Sequence, residues 1–135
     1  MPRRTAVGFD YNRVNMLLAI LEKRLGMDFG TQDVYVNVVG GVRVTEPAAD
    51  LAVVAAIVSS YKNKVVMPGI LAVGEVGLTG EVRRVGFAER RIKEAQNLGF
   101  GKFVIPAGNL SSKKSMEGVV QASTVEEALA AFFEN

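Results

Sequence analysis

The segment from residue 47 to residue 61 constrains the fold most, because its centre is apolar on every side. Residues 51–58 read Leu-Ala-Val-Val-Ala-Ala-Ile-Val, whereas a helix at a protein surface carries polar residues along one face. Pro47 suits the first turn of a helix, where its missing N–H costs no hydrogen bond. The run is shorter than the roughly 20 apolar residues of a membrane span. The sequence therefore predicts a buried central helix that other elements cover.

Helix-type and strand-type periodicities alternate along the rest of the chain. Between residues 10 and 25 apolar side chains recur at helical spacing, with Asp10 as the expected N-cap and Gly26 as the closing residue. Further helices are predicted at residues 87–98 and from residue 123 onward, and strands at residues 33–39, 70–76, 81–85, 103–105 and 119–122. Pro106 is expected to end the fourth of these strands. This order, without repeats or linkers, predicts a single α/β domain over residues 1–135.

The composition excludes several kinds of chemistry. The 135 residues contain no cysteine and no histidine, so disulfides, thiol nucleophiles, imidazole bases and the usual zinc sites are impossible. The 16 Lys+Arg exceed the 14 Asp+Glu by two, a mild basicity shared by nucleic-acid binders and by inert domains. The N-terminus lacks the apolar run of a signal peptide. A cytoplasmic protein without membrane contact is the expectation.

Two candidate ligand sites are weak. The glycines of residues 74–80 are not followed by the Lys-Ser/Thr pair of a phosphate-binding loop, so they indicate a hairpin turn between two strands. Asp50, Glu75 and Glu81 lack the spacing of a calcium loop. No metal site is predicted.

Cations are concentrated between residues 83 and 93. One interpretation is a solvated helix face, with Arg90 and Glu94 as an ordinary i,i+4 pair. The other is a strip that contacts phosphates, because guanidinium groups match phosphate geometry. Composition alone leaves both open. The complete set of candidate DNA-binding residues is Arg13, Arg43, Arg83, Arg84, Arg90, Arg91, Lys93 and Lys113.

A serine activated by an unprotonated lysine is the remaining catalytic option. Such a serine belongs at a helix N-terminus, where the dipole stabilises an oxyanion. Ser59 and Ser60 lie at the opposite end of the central helix. Ser111 lies in a polar loop beside lysines that are expected to be solvated and protonated. None of the three is a convincing nucleophile.

Five blocks of sequence carry a family resemblance over essentially the whole chain. They are PRRTAVGFDYNR at residues 2–13, LLAILEKR at 17–24, VNVVGGVR at 36–43, EPAADLA at 46–52 and GEVGLTGEVR at 74–83. These blocks closely resemble the C-terminal domain of the RadA (also called Sms) family of bacterial DNA-repair proteins. That domain is similar to the proteolytic domain of Lon proteases. The resemblance therefore implies a Lon-type fold (ribosomal protein S5 domain 2-like), with a mixed sheet and a buried central helix.

The resemblance also locates the two positions of the Lon catalytic dyad. The Lon serine lies in a Gly-Pro-Ser-Ala-Gly segment at the start of the buried helix, and the matching residues 46–50 place Ala48 there. The Lon lysine lies in Gly-Gly-Leu-Lys, and the matching residues 86–89 place Glu89 there. A methyl group cannot attack a carbonyl, and a carboxylate cannot replace the amine. The resemblance thus implies a protease fold without proteolysis, and this domain is not expected to be an enzyme.

The function implied by the resemblance is that of a module in a RecA-like ATPase of DNA repair and recombination that drives branch migration. ATP, magnesium and zinc are expected in the ATPase core and zinc finger of the parent protein, and no cofactor is expected here. The module is expected to form a ring, hexameric in the simplest case, and to contact single-stranded and branched DNA without sequence preference. The alternatives are a purely structural oligomerisation module and an active Ser-Lys peptidase. The chain is also expected to lack the first strands of the domain.

Overall fold

The α/β class predicted from the sequence is confirmed by the structure, a computed structural model that describes residues 2–110 and 116–133. The chain divides into two compact units. The first unit contains Met1–Glu46 and Leu78–Gly80, and the second contains Pro47–Gly77 and Glu81–Asn135. The assignment to the Lon type remains a prediction.

The first unit is built on two parallel strands and the helix that connects them. Strand β1 (Arg4–Val7) pairs in parallel with β2 (Val34–Asn37), and helix α1 (Tyr11–Leu25) lies between them in the sequence. The strand predicted here is confirmed, and burial alternates along it, with Tyr35 exposed while its neighbours Val34 and Val36 are partly buried. The sequence did not predict β1, because four residues gain strand structure here only through pairing with a distant segment.

Helix α1 begins and ends where its capping residues predicted. The Asp10 carboxylate accepts a hydrogen bond of 3.0 Å from the N–H of Asn12. Gly26 adopts a left-handed φ of 67° and donates its N–H to the carbonyl of Glu22, which closes the helix. The buried face of the helix consists of Val14, Leu17, Leu18, Ile20 and Leu21.

The loop after β2 folds closely over Gly8. The N–H of Val38 donates to the carbonyl of Val7, and the N–H of Val44 donates to the carbonyl of Gly8. A Cβ atom at Gly8 would lie only 2.7 Å from the carbonyl oxygen of Val42. Glycine is therefore required at position 8, and both ends of this loop are fixed.

The second unit contains the remaining elements. Its helices are a 3₁₀ turn (Pro47–Ala49), α2 (Asp50–Lys62), α3 (Ala88–Asn97) and α4 (Val125–Phe132). Its strands are β3 (Ile70–Ala72), β4 (Glu75–Val76), β5 (Val82–Arg83), β6 (Lys102–Pro106) and β7 (Val119–Ala122). Strands β3, β6 and β7 form a parallel sheet in that order, and β4 and β5 form an antiparallel hairpin.

A hydrophobic cluster joins α3 to the parallel sheet. Ile92 and Ala95 of α3 are buried against strand residues, and both are at most 3% exposed. The other buried members are Val73, Phe103, Ile105 and Leu110. This packing fixes the orientation of α3, so the exposed face of that helix is defined by the core beneath it.

Helix α2 is less completely buried than its sequence predicted. Ala52, Ala56 and Ser60 are exposed at i, i+4 and i+8, while Leu51, Val54 and Val58 are at most 1% exposed. The prediction of a helix covered on all sides is therefore wrong along one stripe. Alanine is small and apolar, so hydropathy alone could not distinguish this stripe from core positions.

Several predicted strand boundaries also change, and the strands predicted at residues 33–39 and 81–85 are shorter in the structure. The predicted strand at residues 70–76 is divided into β3 and β4, because Gly74 bonds to the start of α2 through both its N–H and its carbonyl. The fourth predicted strand ends at Pro106 as expected, although Pro106 is itself the last residue of β6 and lies opposite Ala122. The final helix is capped by Thr124, whose hydroxyl accepts a 3.2 Å hydrogen bond from the N–H of Glu127.

Candidate nucleic-acid interface

The predicted cluster of cations runs from β5 to the middle of α3, and we call residues 83–93 the basic segment. Its first residue, Arg83, lies opposite Glu75 in the β4–β5 hairpin. A loop of residues 84–87 follows, and α3 begins at Ala88. All five of its cations lie in the second unit, and each has different surroundings.

Arg83 is engaged in a surface ion pair. Its Nη2 atom lies 3.1 Å from Oε2 of Glu81, and the two side chains are 52% and 41% exposed. Such exposed pairs contribute only about 0–1 kcal/mol to stability. The carboxylate nevertheless offsets the local positive charge, which makes Arg83 a weaker phosphate ligand than a cation without a carboxylate neighbour.

Asn109 fixes the loop that precedes α3. Its side-chain oxygen accepts from the N–H of Val85 at 3.0 Å, and its side-chain nitrogen donates to the carbonyl of Val85 at 2.8 Å. The sequence analysis missed this residue. The signal was its place in a Pro-Ala-Gly-Asn turn, closed by a 3.2 Å hydrogen bond from the N–H of Asn109 to Pro106, since asparagine side chains often bond to loop backbone.

Arg91 supports the same loop from the helix side. It is half-buried, and its Nε atom donates to the carbonyl of Gly86 at 2.8 Å. Arg91, which the sequence predicts as a candidate phosphate ligand, thus connects α3 to the loop before it. Arg91 also borders a shallow groove that contains Leu71, Leu98 and Glu94.

Besides Arg83, the exposed cations of the basic segment are Arg84, Arg90 and Lys93. The methylene groups of Arg84 pass over the loop at Gly108, where an added Cβ would lie 3.4 Å from Arg84 Cδ. The guanidinium carbon of Arg90 lies 6.0 Å from the centre of the Phe87 ring. That distance permits a cation–π contact. These three side chains hold positive charge where solvent and ligands reach it.

Acidic side chains limit the charge on α3. Glu89 lies in the first helical turn, where a carboxylate complements the helix dipole, and it is partly buried. Glu94 is exposed. In the part of the chain that the structure describes, Arg90 does not form the predicted ion pair with Glu94. Its guanidinium group lies over the Phe87 ring.

The other three candidate cations lie outside the basic segment. Arg13 belongs to the first turn of α1 in the first unit, is half-buried and has partners of its own. Arg43 is exposed in the loop that folds over Gly8. Lys113 lies outside the described residues. The five cations of residues 83–93 lie on consecutive elements of the second unit.

The two positions matched to the Lon dyad lie at the starts of α2 and α3. Ala48 is 6% exposed, and its carbonyl accepts from the N–H of Gly74 at 2.8 Å. Two residues later, Asp50 is fully buried and accepts a 3.0 Å hydrogen bond from the N–H of Val76. The start of α2 is thereby bound to β4. Glu89 occupies the first turn of α3.

The alternative nucleophiles have unpromising positions. The hydroxyl of Ser59 donates to the carbonyl of Lys64 at the C-terminal end of α2. Ser60 is exposed at the same end, and Ser111 lies outside the described residues. A helix C-terminus carries partial negative charge, which disfavours an oxyanion.

The carboxylates considered as metal ligands do not gather. Asp50 points to the backbone of Val76, and Glu81 pairs with Arg83. In the part of the chain that the structure describes, no three acidic side chains lie close enough together to hold an ion. None of the described helices is long and apolar enough to cross a membrane.

Comparison with known proteins identifies the class. A family model described as subunit ChlI of Mg-chelatase matches residues 3–109, so the chain belongs to that family. Its relatives include DNA repair protein RadA from Bacillus subtilis, 50% identical over 130 residues, and from Halalkalibacterium halodurans, 49% identical over 130 residues. Each alignment covers 95% of this chain and 28% of the relative.

A third relative agrees with these two. DNA repair protein RadA from Streptococcus pneumoniae is 46% identical over 134 residues, covering 97% of this chain and 32% of its own length. The chain therefore spans less than a third of the relatives it matches, and it is a RadA-related region.

Proposed function

We propose that this chain is a non-catalytic α/β module of a RadA-related DNA repair protein, and that it contacts DNA phosphates through the basic segment. The observation that carries the proposal is the exposure of Arg84, Arg90 and Lys93 on a loop and helix that the core holds in place. The names of the relatives support a role in DNA repair. Any ATP, magnesium or zinc is assigned to other parts of the longer proteins.

The hydrogen bonds that hold the loop before α3 favour a binding role for the exposed cations over a merely solvated surface. Asn109 and Arg91 hold the backbone at Val85 and Gly86, so little backbone freedom is lost when the exposed cations meet a ligand. Phosphate contacts carry no sequence information by themselves. The proposed binding is accordingly sequence-independent and sensitive to salt.

The test removes two cations that are not among the residues that hold the loop before α3. We expect Arg84→Gln combined with Lys93→Gln to weaken binding to single-stranded and double-stranded oligonucleotides equally across sequences. If both contact phosphates, the slope of log affinity against log salt falls by about 1.4 for single strands and about 1.8 for duplexes. Fluorescence anisotropy at several salt concentrations measures both quantities.

The matched control removes the same charge elsewhere in the second unit. Lys62 and Lys64 are exposed at the C-terminal end of α2, and the double change Lys62→Gln and Lys64→Gln is expected to leave the slope unchanged. Equal losses in both double variants would mean that only net charge matters. That result would contradict a defined interface in the basic segment.

Assembly into a ring of identical subunits is the second part of the proposal. Apolar side chains are strongly exposed in both units, with Val39 89%, Val65 88% and Leu98 79% accessible, and contacts between subunits would bury them. In addition, the β1–β2 sheet exposes Val7 and Tyr35, although parallel sheets are ordinarily covered on both faces.

The same apolar exposure supports the competing proposal of an oligomerisation module without a DNA role. Sedimentation velocity on the anisotropy samples separates the two. Self-association without measurable DNA affinity favours the structural module, whereas DNA affinity with a slope set by Arg84 and Lys93 favours the interface. A monomer without affinity contradicts both.

A further inference from the structure

Phe87 is an aromatic side chain in an unusual place. Its side chain is 74% exposed, although it belongs to one of the most hydrophobic residue types. Its φ of 60° lies in the left-handed region, which glycine adopts readily and bulky residues avoid. Strained backbone at non-glycine residues is concentrated at functional sites, where the surrounding structure maintains it.

The residues around Phe87 maintain that conformation. The preceding residue is held by Arg91, whose Nε atom donates to the carbonyl of Gly86. The carbonyl of Phe87 accepts from the N–H of Arg91 at 2.9 Å, and Val85 is held by Asn109. The ring is therefore presented from a fixed backbone, and it is not the tip of a loose loop.

The charges around the ring define what it can bind. Arg90 lies 6.0 Å from the ring centre, and Arg84 and Lys93 are exposed on either side of Phe87 in the sequence. An aromatic ring among cations is the combination that binds single-stranded nucleic acid, since bases stack on the ring while the cations meet the phosphates. A purely apolar partner would not favour the guanidinium of Arg90 beside the ring.

We propose that Phe87 is a base-stacking residue, which makes the basic segment a site for single-stranded DNA. This inference rests on the proposed function and deepens it by naming the strand form. Bases in a duplex are stacked on one another, so only an unpaired base offers its face to the ring. Duplex DNA uses the cations of the segment alone.

The chain contains no tryptophan, which gives a direct spectroscopic test. Phe87→Trp introduces a single indole at the proposed site, and we expect oligo(dT) to quench its emission. A duplex of equal length and the polyanion heparin are expected to bind without comparable quenching. Leu98→Trp is the matched control, because Leu98 is 79% exposed and follows the other end of α3.

Affinity measurements complete the test. Phe87→Ala is expected to weaken binding to single strands about fivefold or more and to change duplex binding less than about twofold. Phe87→Gly relieves the left-handed strain, so it keeps a stable fold while losing the same affinity. Phe87→Tyr preserves a stacking ring and is expected to bind as the parent does.

The results distinguish this inference from the proposed function. Salt-sensitive binding that depends on Arg84 and Lys93, without quenching of the indole at position 87, overturns base stacking alone. Equal quenching by heparin also overturns it, since heparin has no bases. An emission change that follows protein concentration without DNA overturns it in favour of a subunit contact. Absence of all DNA binding by the parent chain overturns both proposals.

Discussion

Helices α2 and α3 begin in opposite surroundings, although both starts match positions of the same catalytic dyad in the family resemblance. The start of α2 is interior, with Asp50 fully buried and bonded to the backbone of Val76. The start of α3 is open, with Phe87 74% exposed and Arg90 beside its ring. One start joins elements of the fold, and the other presents side chains to solvent.

The difference explains why substitutions at the two starts have different consequences. A buried hydrogen bond acceptor that is removed leaves its donor without a partner, and that loss is expressed as stability. An exposed cation that is removed is replaced by water at little cost, so its loss is expressed in binding. We therefore expect stability effects around Asp50 and affinity effects around Arg90.

The largest expected effect is the loss of the Asp50 carboxylate. Asp50→Ala leaves the N–H of Val76 buried without its acceptor, which is expected to lower the free energy of unfolding by about 1–3 kcal/mol. Asp50→Asn retains an acceptor oxygen and is expected to lose less. Urea denaturation followed by circular dichroism measures both variants.

Asp10→Ala provides the comparison. Asp10 also accepts a backbone hydrogen bond near a helix start, but it is exposed, and loss of an N-cap costs about 1 kcal/mol. If Asp50→Ala destabilised the chain no more than Asp10→Ala, burial would not distinguish the start of α2 from the exposed start of α1. The expectation that the buried start of α2 acts through stability would then lose its energetic basis.

The sequence predicts features whose signals are local. Asp10 and Gly26 bound α1 because their partners lie within four residues along the chain. The role of Asp50 was not predictable, because its partner Val76 lies 26 residues away. Strand β1 was missed for the same reason, since its pairing with β2 spans 30 residues.

An intermediate effect is expected at Asn109, which is neutral and does not belong to the basic segment. Asn109→Ala removes both hydrogen bonds to Val85. Because Val85 is only half-buried and water can replace part of the loss, we expect about 1–2 kcal/mol of destabilisation. We also expect weaker DNA binding, because the loop that carries Arg84 is no longer fixed.

The readout for Asn109 combines denaturation with anisotropy at one salt concentration. Asn97→Ala, at the exposed end of α3, changes the same residue type and is expected to alter neither quantity. Unchanged DNA affinity in a destabilised Asn109→Ala variant would show that the support of the loop is not needed for binding.

The cations of the basic segment show what can and what cannot be predicted from counting charges. Counting charges identified residues 83–93 as a basic cluster, and in the structure these residues lie on β5, the loop after it and α3. Counting could not separate Arg90 from Arg91, which are adjacent and chemically identical. Their roles differ because Arg91 bonds to a carbonyl five residues earlier, whereas Arg90 lies over an aromatic ring.

The smallest expected effects come from replacing Arg90 and Arg91 one at a time. Arg90→Gln is expected to leave the free energy of unfolding unchanged and to reduce the salt slope for single strands by about 0.7, the value for one phosphate contact. Arg91→Gln is expected to cost about 1 kcal/mol or less in stability, because its hydrogen bond to Gly86 is partly accessible to water. Its salt slope is expected to match that of the parent chain.

The two variants lose the same charge, so any difference between them arises from position alone. A reduced salt slope in both variants would mean that Arg91 contacts phosphate and does not only hold the loop before α3. A reduced slope in Arg91→Gln alone would invert the assignment. The interface would then begin at the half-buried side of α3, and the exposure of Arg90 beside Phe87 would lose its connection with phosphate binding.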